Sequence, residues 1–296
     1  MMLPKGNYPE KIYVNGEIFS SENAKISVFD RGFLFGDGIY EVMMQLENGI
    51  FYKKAHFDRL QSNLNKIGID YAVEEIESEL DNLISASSLT DKACLIYIQV
   101  TRGIAPRKHS YPKGVSASVM MYALPYSLPL VNPTHMKSIL TADFRWHRCD
   151  IKSTSLLGNI MTNESAVSAN ANEATLVRQG LVTEGSHSNI FFVKDGKVIT
   201  HPANEHILAG ITRRIVIGLC KDLNLPVIEQ AVAETDIEQM DEAFFTGTTT
   251  QVASIAELGR HVFYRNDQVG EVTRNLQRAF SELRSRDTAL VDLGLR

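Results

Sequence analysis

The sequence predicts a two-domain chain that mixes strands and helices, and three observations carry that expectation. At 296 residues it is long enough for two well-buried cores. Strand-like and helix-like patterns follow one another along the chain, with no internal repeat and no low-complexity tract. Near the middle, Leu124-Pro125-Tyr126-Ser127-Leu128-Pro129-Leu130-Val131-Asn132-Pro133 holds three prolines in ten residues and is the best linker candidate.

Taken in order, residues 11–20 read as a hairpin turning at Asn15-Gly16. In Phe29-Asp30-Arg31-Gly32-Phe33-Leu34-Phe35-Gly36-Asp37-Gly38-Ile39-Tyr40-Glu41-Val42, three glycines among bulky apolar residues mark a special backbone path feeding a strand near Tyr40. Residues 54–67 place Phe57, Leu60, Leu64 and Ile67 on one helical face, and a second helix covers about 74–87. Residues 94–102 form a strongly apolar strand that runs into the loop from Gly103 to His109, with another strand near 116–123. Beyond the prolines come a strand at about 137–145, a helix at about 156–171, and short strands around 183–191. A helix opens at Ala209-Gly210-Ile211-Thr212, with Ile211, Ile215 and Leu219 four residues apart. Phe244-Phe245-Thr246 is a strand ending in the small-residue turn Gly247-Thr248-Thr249-Thr250.

Composition narrows the function classes. The formal charge of −5 gives no electrostatic reason to expect nucleic acid or a membrane surface. No apolar run approaches the roughly 20 residues that span a bilayer. Met1-Met2-Leu3-Pro4-Lys5-Gly6 lacks an apolar signal core, so a cytoplasmic protein is expected. Cys94, Cys149 and Cys220 are odd in number and far apart, which suggests reduced thiols and no metal site. No Gly-x-Gly-x-x-Gly fingerprint occurs, which argues against a nucleotide-binding oxidoreductase.

The chemistry centres on Arg148-Cys149-Asp150-Ile151-Lys152-Ser153, with Leu156 and Leu157 behind it. An amine set against apolar surroundings has its ammonium form disfavoured and becomes a usable nucleophile, able to condense with an aldehyde such as pyridoxal phosphate (PLP). On the hexapeptide alone, a surface lysine at a helix start is the favoured reading. Arg59 could point inward toward an anion or snorkel to solvent. Tyr40 reads as a half-buried strand tyrosine, and Cys149 as a small buried residue.

Together these pieces resemble the fold-type IV, or class IV, PLP-dependent aminotransferases, nearest the D-amino acid aminotransferase branch. The resemblance runs from about Asn15 to about Arg284. It is carried by Asp30-Arg31-Gly32, Phe35-Gly36-Asp37-Gly38-Ile39-Tyr40-Glu41, Thr101-Arg102-Gly103, Arg148-Cys149-Asp150-Ile151-Lys152-Ser153, Glu184-Gly185-Ser186, His201-Pro202 and Gly210-Ile211-Thr212-Arg213.

What the resemblance implies is specific. The fold would be α+β, with a small N-terminal α/β sandwich (1–123), a linker (124–134) and a larger C-terminal pseudo-barrel (135–296) that binds the cofactor. Lys152 matches the Schiff-base lysine and α-proton shuttle, and Glu184 the carboxylate facing the pyridine nitrogen. Arg59, Ile211, Thr212 and Thr248 match the phosphate site, and Leu208 a leucine packed on the ring. Tyr40, Arg107 and His109 match the groups that hold the α-carboxylate of a D-substrate, the last two reaching in from the partner of a homodimer. The implied reaction is ping-pong transamination, D-alanine plus 2-oxoglutarate giving pyruvate plus D-glutamate. A branched-chain L-aminotransferase on the same scaffold is the alternative, and a PLP-binding protein without turnover is argued against by Lys152 and Glu184. His187 and Gly247 depart from the small and hydroxyl residues usual at their places.

Overall fold

The computed structural model describes residues 4–286. They divide into two compact units: one holds residues through Ser127 together with Ile151–Ser155, the other Leu128–Asp150 and Leu156–Arg286. The chain passes from the first to the second at Ser127–Leu128, within the proline-rich stretch, and the segment bearing Lys152 belongs to the first.

In the first unit, β1 (Lys11–Val14) and β2 (Glu17–Ser20) form the expected hairpin. Asn15 (φ 48°) and Gly16 (φ 98°) both take the left-handed backbone that a two-residue turn of this kind requires. The special path after Phe29 proves to contain a helical turn, α1 (Arg31–Phe35), opened by the Asp30 carboxylate accepting from Gly32 N and closed at Gly36. The rest of the unit is β3 (Gly38–Leu46), β4 (Gly49–Ile50), α2 (Lys53–Ile67), α3 (Glu74–Ala86), β5 (Cys94–Thr101) and β6 (Ser118–Pro125). The strands make an antiparallel sheet in the order β2-β1-β6-β5-β3-β4.

Period-two alternation decides which face of that sheet is covered. Cys94, Ile96, Ile98 and Val100 of β5, with Ile39 and Met43 of β3, point to one side. The predicted α2 stripe, Phe57, Leu60 and Leu64, packs there with Leu80 and Leu83 of α3. Each such buried side chain contributes about 1.5–3 kcal/mol, so this core is what holds β3 and α2 in register.

The second unit comprises β7 (Met136–Ala142), α4 (Leu157–Ser168), β8 (Glu173–Arg178), β9 (Leu181–Gly185), β10 (Asn189–Lys194), β11 (Lys197–Thr200), α5 (Ile211–Asp222), β12 (Val227–Glu229), a 3-10 turn at Glu234–Gln239, β13 (Glu242–Gly247), β14 (Gln251–Leu258), β15 (His261–Val262) and α6 (Glu271–Arg284). Its mixed sheet runs β12-β11-β10-β13-β14-β7-β8-β9, with β15 beside β14. Strands β9 and β10 follow each other across only Ser186–Ser188, yet four strands lie between them in the sheet. Laid flat, five steps of about 4.8 Å would separate them by about 24 Å. A three-residue link reaches at most about 15 Å. The sheet must therefore curl back on itself, and Gly185 N bonds to Ser188 O (2.7 Å) where it does so. This is the curled architecture expected for the larger domain. Phe192, Phe245, Ile190 and Ile255 are among the residues that fill one of its cores.

Candidate active site

The first unit fixes Lys152 on its own elements. At its Gly38–Tyr40 end, β3 pairs with the returning segment: Tyr40 N donates to Lys152 O (3.0 Å), Thr154 N to Gly38 O (3.0 Å), and Ile39 bridges Ser153. Asn63 Oδ1, from α2, accepts from Lys152 N (3.0 Å), and Ile151 enters the core. Both sides of the Lys152 peptide are thus tied to rigid elements. Its Nζ lies 4.2 Å from the Tyr40 ring centroid, a cation–π contact that holds the amine in place.

Next to Tyr40 in the chain, Glu41 points to the opposite face of β3, toward α2. Its carboxylate receives a fork from Arg59, Nε to Oε2 (2.9 Å) and Nη2 to Oε1 (2.6 Å), and His56 Nδ1 stands 3.1 Å from Oε1. Burial alone would raise the Glu41 pKa, but Arg59 and His56 outweigh it and hold the carboxyl well below the usual range. Burial lowers the His56 pKa, with Glu41 opposing. Of the two readings of Arg59, inward is the one realised: it is held by a carboxylate on the neighbouring strand.

Arg107 and His109 lie exposed on the loop after β5. Both rest on one ring: the Arg107 guanidinium is 5.1 Å from the Phe35 centroid and the His109 ring 5.6 Å.

The second unit fixes Glu184 on its own elements. Glu184 lies near the end of β9, buried, and accepts from Arg145 Nη1 (2.6 Å), Asn189 Nδ2 (2.9 Å) and Leu208 N (3.1 Å). Arg145 is itself gripped by Asp143, Nε to Oδ1 (2.9 Å) and Nη2 to Oδ2 (3.0 Å). Burial pushes the Glu184 carboxyl up to about 7 even though Arg145 pulls the other way, and the Arg145 guanidinium is held further above its usual value. Asn189 Nδ2 also donates to Leu208 O (2.8 Å), so one amide ties Glu184 to the segment that enters α5.

That entry needs a glycine. A Cβ on Gly210 would stand 2.2 Å from Asn189 Oδ1, so any side chain there would displace the amide. Ile211 and Thr212 open α5 with no side-chain cap on its first amides, an arrangement suited to an anion. Thr248 lies in the half-buried turn between β13 and β14. His187, on the β9–β10 turn, exposes its side chain and reaches Glu173 (Nε2 to Oε2, 3.5 Å).

The structure therefore sets Lys152 against Tyr40, Arg107 beside His109, and Glu184 on Leu208 N at the approach to Ile211. Sequence reasoning assigned no role to Glu41, His56, Arg145 or Asn189. His56 and Arg59 sit three apart on one face of α2, a spacing that could have pointed to a shared acid. Cys149 is buried, its thiol pushed up to about 11 by burial. Among the described residues, no helix is long and apolar enough to cross a membrane, and no cluster of His, Cys, Asp or Glu suits a metal ion.

The family model for class IV amino-transferases matches residues 38–258. A D-alanine aminotransferase of Staphylococcus epidermidis is 39% identical over 277 residues, covering 92% of this chain and 97% of that protein. One from Bacillus licheniformis is 38% identical over 283 residues, covering 94% and 99%. Among solved structures, a branched-chain aminotransferase of Thermoproteus uzoniensis shares 27% identity at a TM-score of 0.83, covering 92% of this chain and 94% of that one. The branched-chain amino acid aminotransferase of Escherichia coli superposes with a TM-score of 0.85 at 23% identity, covering 93% and 95%. With its family motifs spread from Gly38 to Leu258 and held in this geometry, the chain belongs to the class IV aminotransferases.

Proposed function

We propose that this protein is a D-amino acid aminotransferase that uses PLP and works by ping-pong transfer, taking the amino group of D-alanine to 2-oxoglutarate. The observation that carries the reading is the fixed amine of Lys152 over Tyr40, in a chain 39% identical to a D-alanine aminotransferase.

The residues present suit the cofactor. Lys152 Nζ would carry its covalent attachment, and Arg59, the amides of Ile211 and Thr212, and Thr248 its phosphate. Glu184 would face the ring nitrogen and Leu208 one face of the ring. When bound, PLP supplies the electron sink that makes the substrate α-hydrogen acidic. Lys152 Nζ then takes that proton and returns it at the next position, as general base and general acid. Glu184, oriented by Arg145, Asn189 and Leu208 N, would be aimed at the ring nitrogen, whose protonated form would offset the burial that raises the carboxyl's pKa. Glu41 holds the Arg59 fork in one orientation, so the phosphate would meet a guanidinium already in place.

Stereochemistry follows from which side carries cations. The α-hydrogen must face Lys152, so the carboxylates of D- and L-substrates lie on opposite sides of the site. Arg107, His109 and the Tyr40 hydroxyl would put charge-assisted donors on the D side. In this reading Arg107 and His109 serve the partner's site in a homodimer, and the enzyme works in the cytoplasm.

The test is a half-reaction. Purified enzyme mixed with D-alanine or D-glutamate should lose the visible absorption of its cofactor much faster than with L-leucine or L-valine. Arg107→Ala should lower kcat/KM for D-alanine by about 30-fold or more while leaving the resting spectrum unchanged, the cost of removing one partner of a charge pair. Faster conversion by L-leucine than by D-alanine would leave the branched-chain reading in its place.

A further inference from the structure

Three charged residues from the family motifs, Arg31, Asp37 and Arg102, have no part in the reaction described above. All three converge in the first unit. The Asp37 carboxylate accepts from Arg31 Nε (2.8 Å) and from Arg102 through Nε (2.8 Å) and Nη2 (3.0 Å). The side chains are 4%, 12% and 7% exposed for Arg31, Asp37 and Arg102, so the cluster is desolvated. Burial would raise the Asp37 pKa, but the two guanidinia prevail and hold it down. Two cations on one anion leave a surplus positive charge, which needs other acceptors.

Those acceptors are backbone carbonyls, and where they lie is informative. Arg102 donates to Ile67 O (2.7 Å) and Gly68 O (2.8 Å), at the C-terminus of α2, where the helix dipole is negative. Arg31 Nη1 donates to Lys108 O (2.6 Å). Lys108 is the residue between Arg107 and His109. The loop is gripped at two more places: the Arg102 guanidinium stacks 3.5 Å from the Tyr111 centroid, and Arg31 N bonds to Gly103 O (2.9 Å).

Phe35 completes the arrangement. It stands one helical turn after Arg31 in α1, and the Arg31 guanidinium lies 4.7 Å from its centroid. Arg107 and His109 rest on the same ring. A loop that needed only tethering would be held at its ends. Here the peptide between two basic side chains is bonded directly, and both side chains lean on one aromatic ring, whose electron-rich face suits the Arg107 guanidinium.

We propose that Arg31, Asp37 and Arg102, acting with Phe35, are positioning residues that set the direction of Arg107 and His109 and so the affinity of the site for a substrate carboxylate. This inference rests on the reading above that Arg107 and His109 bind that carboxylate.

The experiment compares two reagents on cofactor-loaded enzyme. Aminooxyacetate carries a carboxylate and O-methylhydroxylamine does not, and both bleach the visible absorption by reacting at the cofactor. Phe35→Leu, which leaves the buried ion cluster intact, and Arg31→Lys, which keeps the charge but loses the fork, are measured beside Arg107→Ala. In both positioning variants the aminooxyacetate rate should fall by about 10- to 100-fold while the O-methylhydroxylamine rate stays within about twofold, and KM for D-alanine should rise far more than kcat falls. Equal slowing with both reagents, or slowing with neither, while Arg107→Ala still separates them, overturns the positioning role and leaves the carboxylate reading standing. If Arg107→Ala does not separate the reagents either, both fail together.

Discussion

Arg145 Nη1 stands 2.6 Å from Glu184 Oε1, and each side chain is 6% exposed. The pair is not alone: Asp143 holds the other edge of the guanidinium, and Asn189 and Leu208 hold the other oxygen of Glu184. Every donor to Glu184 comes from a different element, so the carboxylate has one orientation. Buried charge held this way is expensive in isolation and useful where a fixed negative charge must meet a developing positive one.

Glu184→Gln keeps the shape and the acceptor for Leu208 N but removes that charge. Turnover with D-alanine should fall by about 10- to 100-fold, the scale of one charge-assisted hydrogen bond. Exchange of the substrate α-hydrogen in deuterated water should slow by the same factor, while the bound cofactor stays titratable near one per chain. Unchanged exchange would make Glu184 a purely structural acid.

Lys152 should be the attachment point. Reduction of the loaded enzyme with borohydride should leave the cofactor on a peptide containing Lys152, and Lys152→Ala should abolish turnover. A label on any other lysine would remove the basis of the whole assignment.

Arg59 has a stability role apart from any ligand. Its fork is the counter-charge of Glu41, which is 1% exposed. Arg59→Ala would leave that carboxylate buried with only His56 beside it, at a cost of about 3–5 kcal/mol in the cofactor-free protein. The pH dependence has a definite sign. Glu41 is held below its unfolded value, so its contribution is present above about pH 4 and is lost as pH falls toward the folded value. Chemical denaturation of cofactor-free protein at pH 7 and at pH 4 checks both. An Arg59→Ala variant as stable as the parent at pH 7 would show that Glu41 is compensated by something else.

Much of this was legible in the sequence, for identifiable reasons. The Asn15-Gly16 hairpin, the α2 stripe and the apolar β5 strand are local patterns of period two or 3.6, and they fold where those periods place them. The helical turn Arg31–Phe35 was not separable, because five residues carry no period and its limits are set by one cap at Asp30 and one glycine at Gly36. Nothing was assigned to Glu271–Arg284, although Leu276 and Phe280 repeat four residues apart there and are buried. The supporting charges were hidden for another reason: Glu41 meets Arg59 across 18 positions and Arg145 meets Glu184 across 39, so their partners exist only once the sheets are built. Lys152 is the intermediate case. Its hexapeptide fits a surface lysine, and only its pairing with β3 shows why the peptide is rigid.

The turn that follows Glu184 leans on a second buried acid, whose behaviour is opposite to that of Glu41. Glu173 is fully buried in β8, and its Oε1 accepts from His187 N (2.9 Å) and Ser188 Oγ (2.8 Å). Its Oε2 is buried with no hydrogen-bond partner among the described residues, and the imidazole of His187, 3.5 Å away, belongs to a side chain that is 53% exposed. Burial raises the pKa, and His187 with the turn donors only partly offsets it. The sign is therefore the reverse of Glu41. A carboxyl whose folded pKa exceeds its unfolded one, near 4.3, favours the fold while protonated, so stability falls as pH rises from about 4 toward the folded value, at up to about 1.4 kcal/mol per pH unit. Glu173→Gln removes the ionisation, keeps an acceptor for His187 N and Ser188 Oγ, and places an amide at the unpartnered oxygen. The variant should match the parent near pH 4 and grow more stable than it as pH rises to 8, a Tm difference of about 2–4 °C for each kcal/mol. His187→Ala in the parent should change the effect by less than about 1 kcal/mol, because that ring is half in solvent. A Tm difference that stays flat or shrinks between pH 4 and pH 8 would mean that Glu173 is ionised throughout and that the turn beside Glu184 is held by a charge, with burial outweighed.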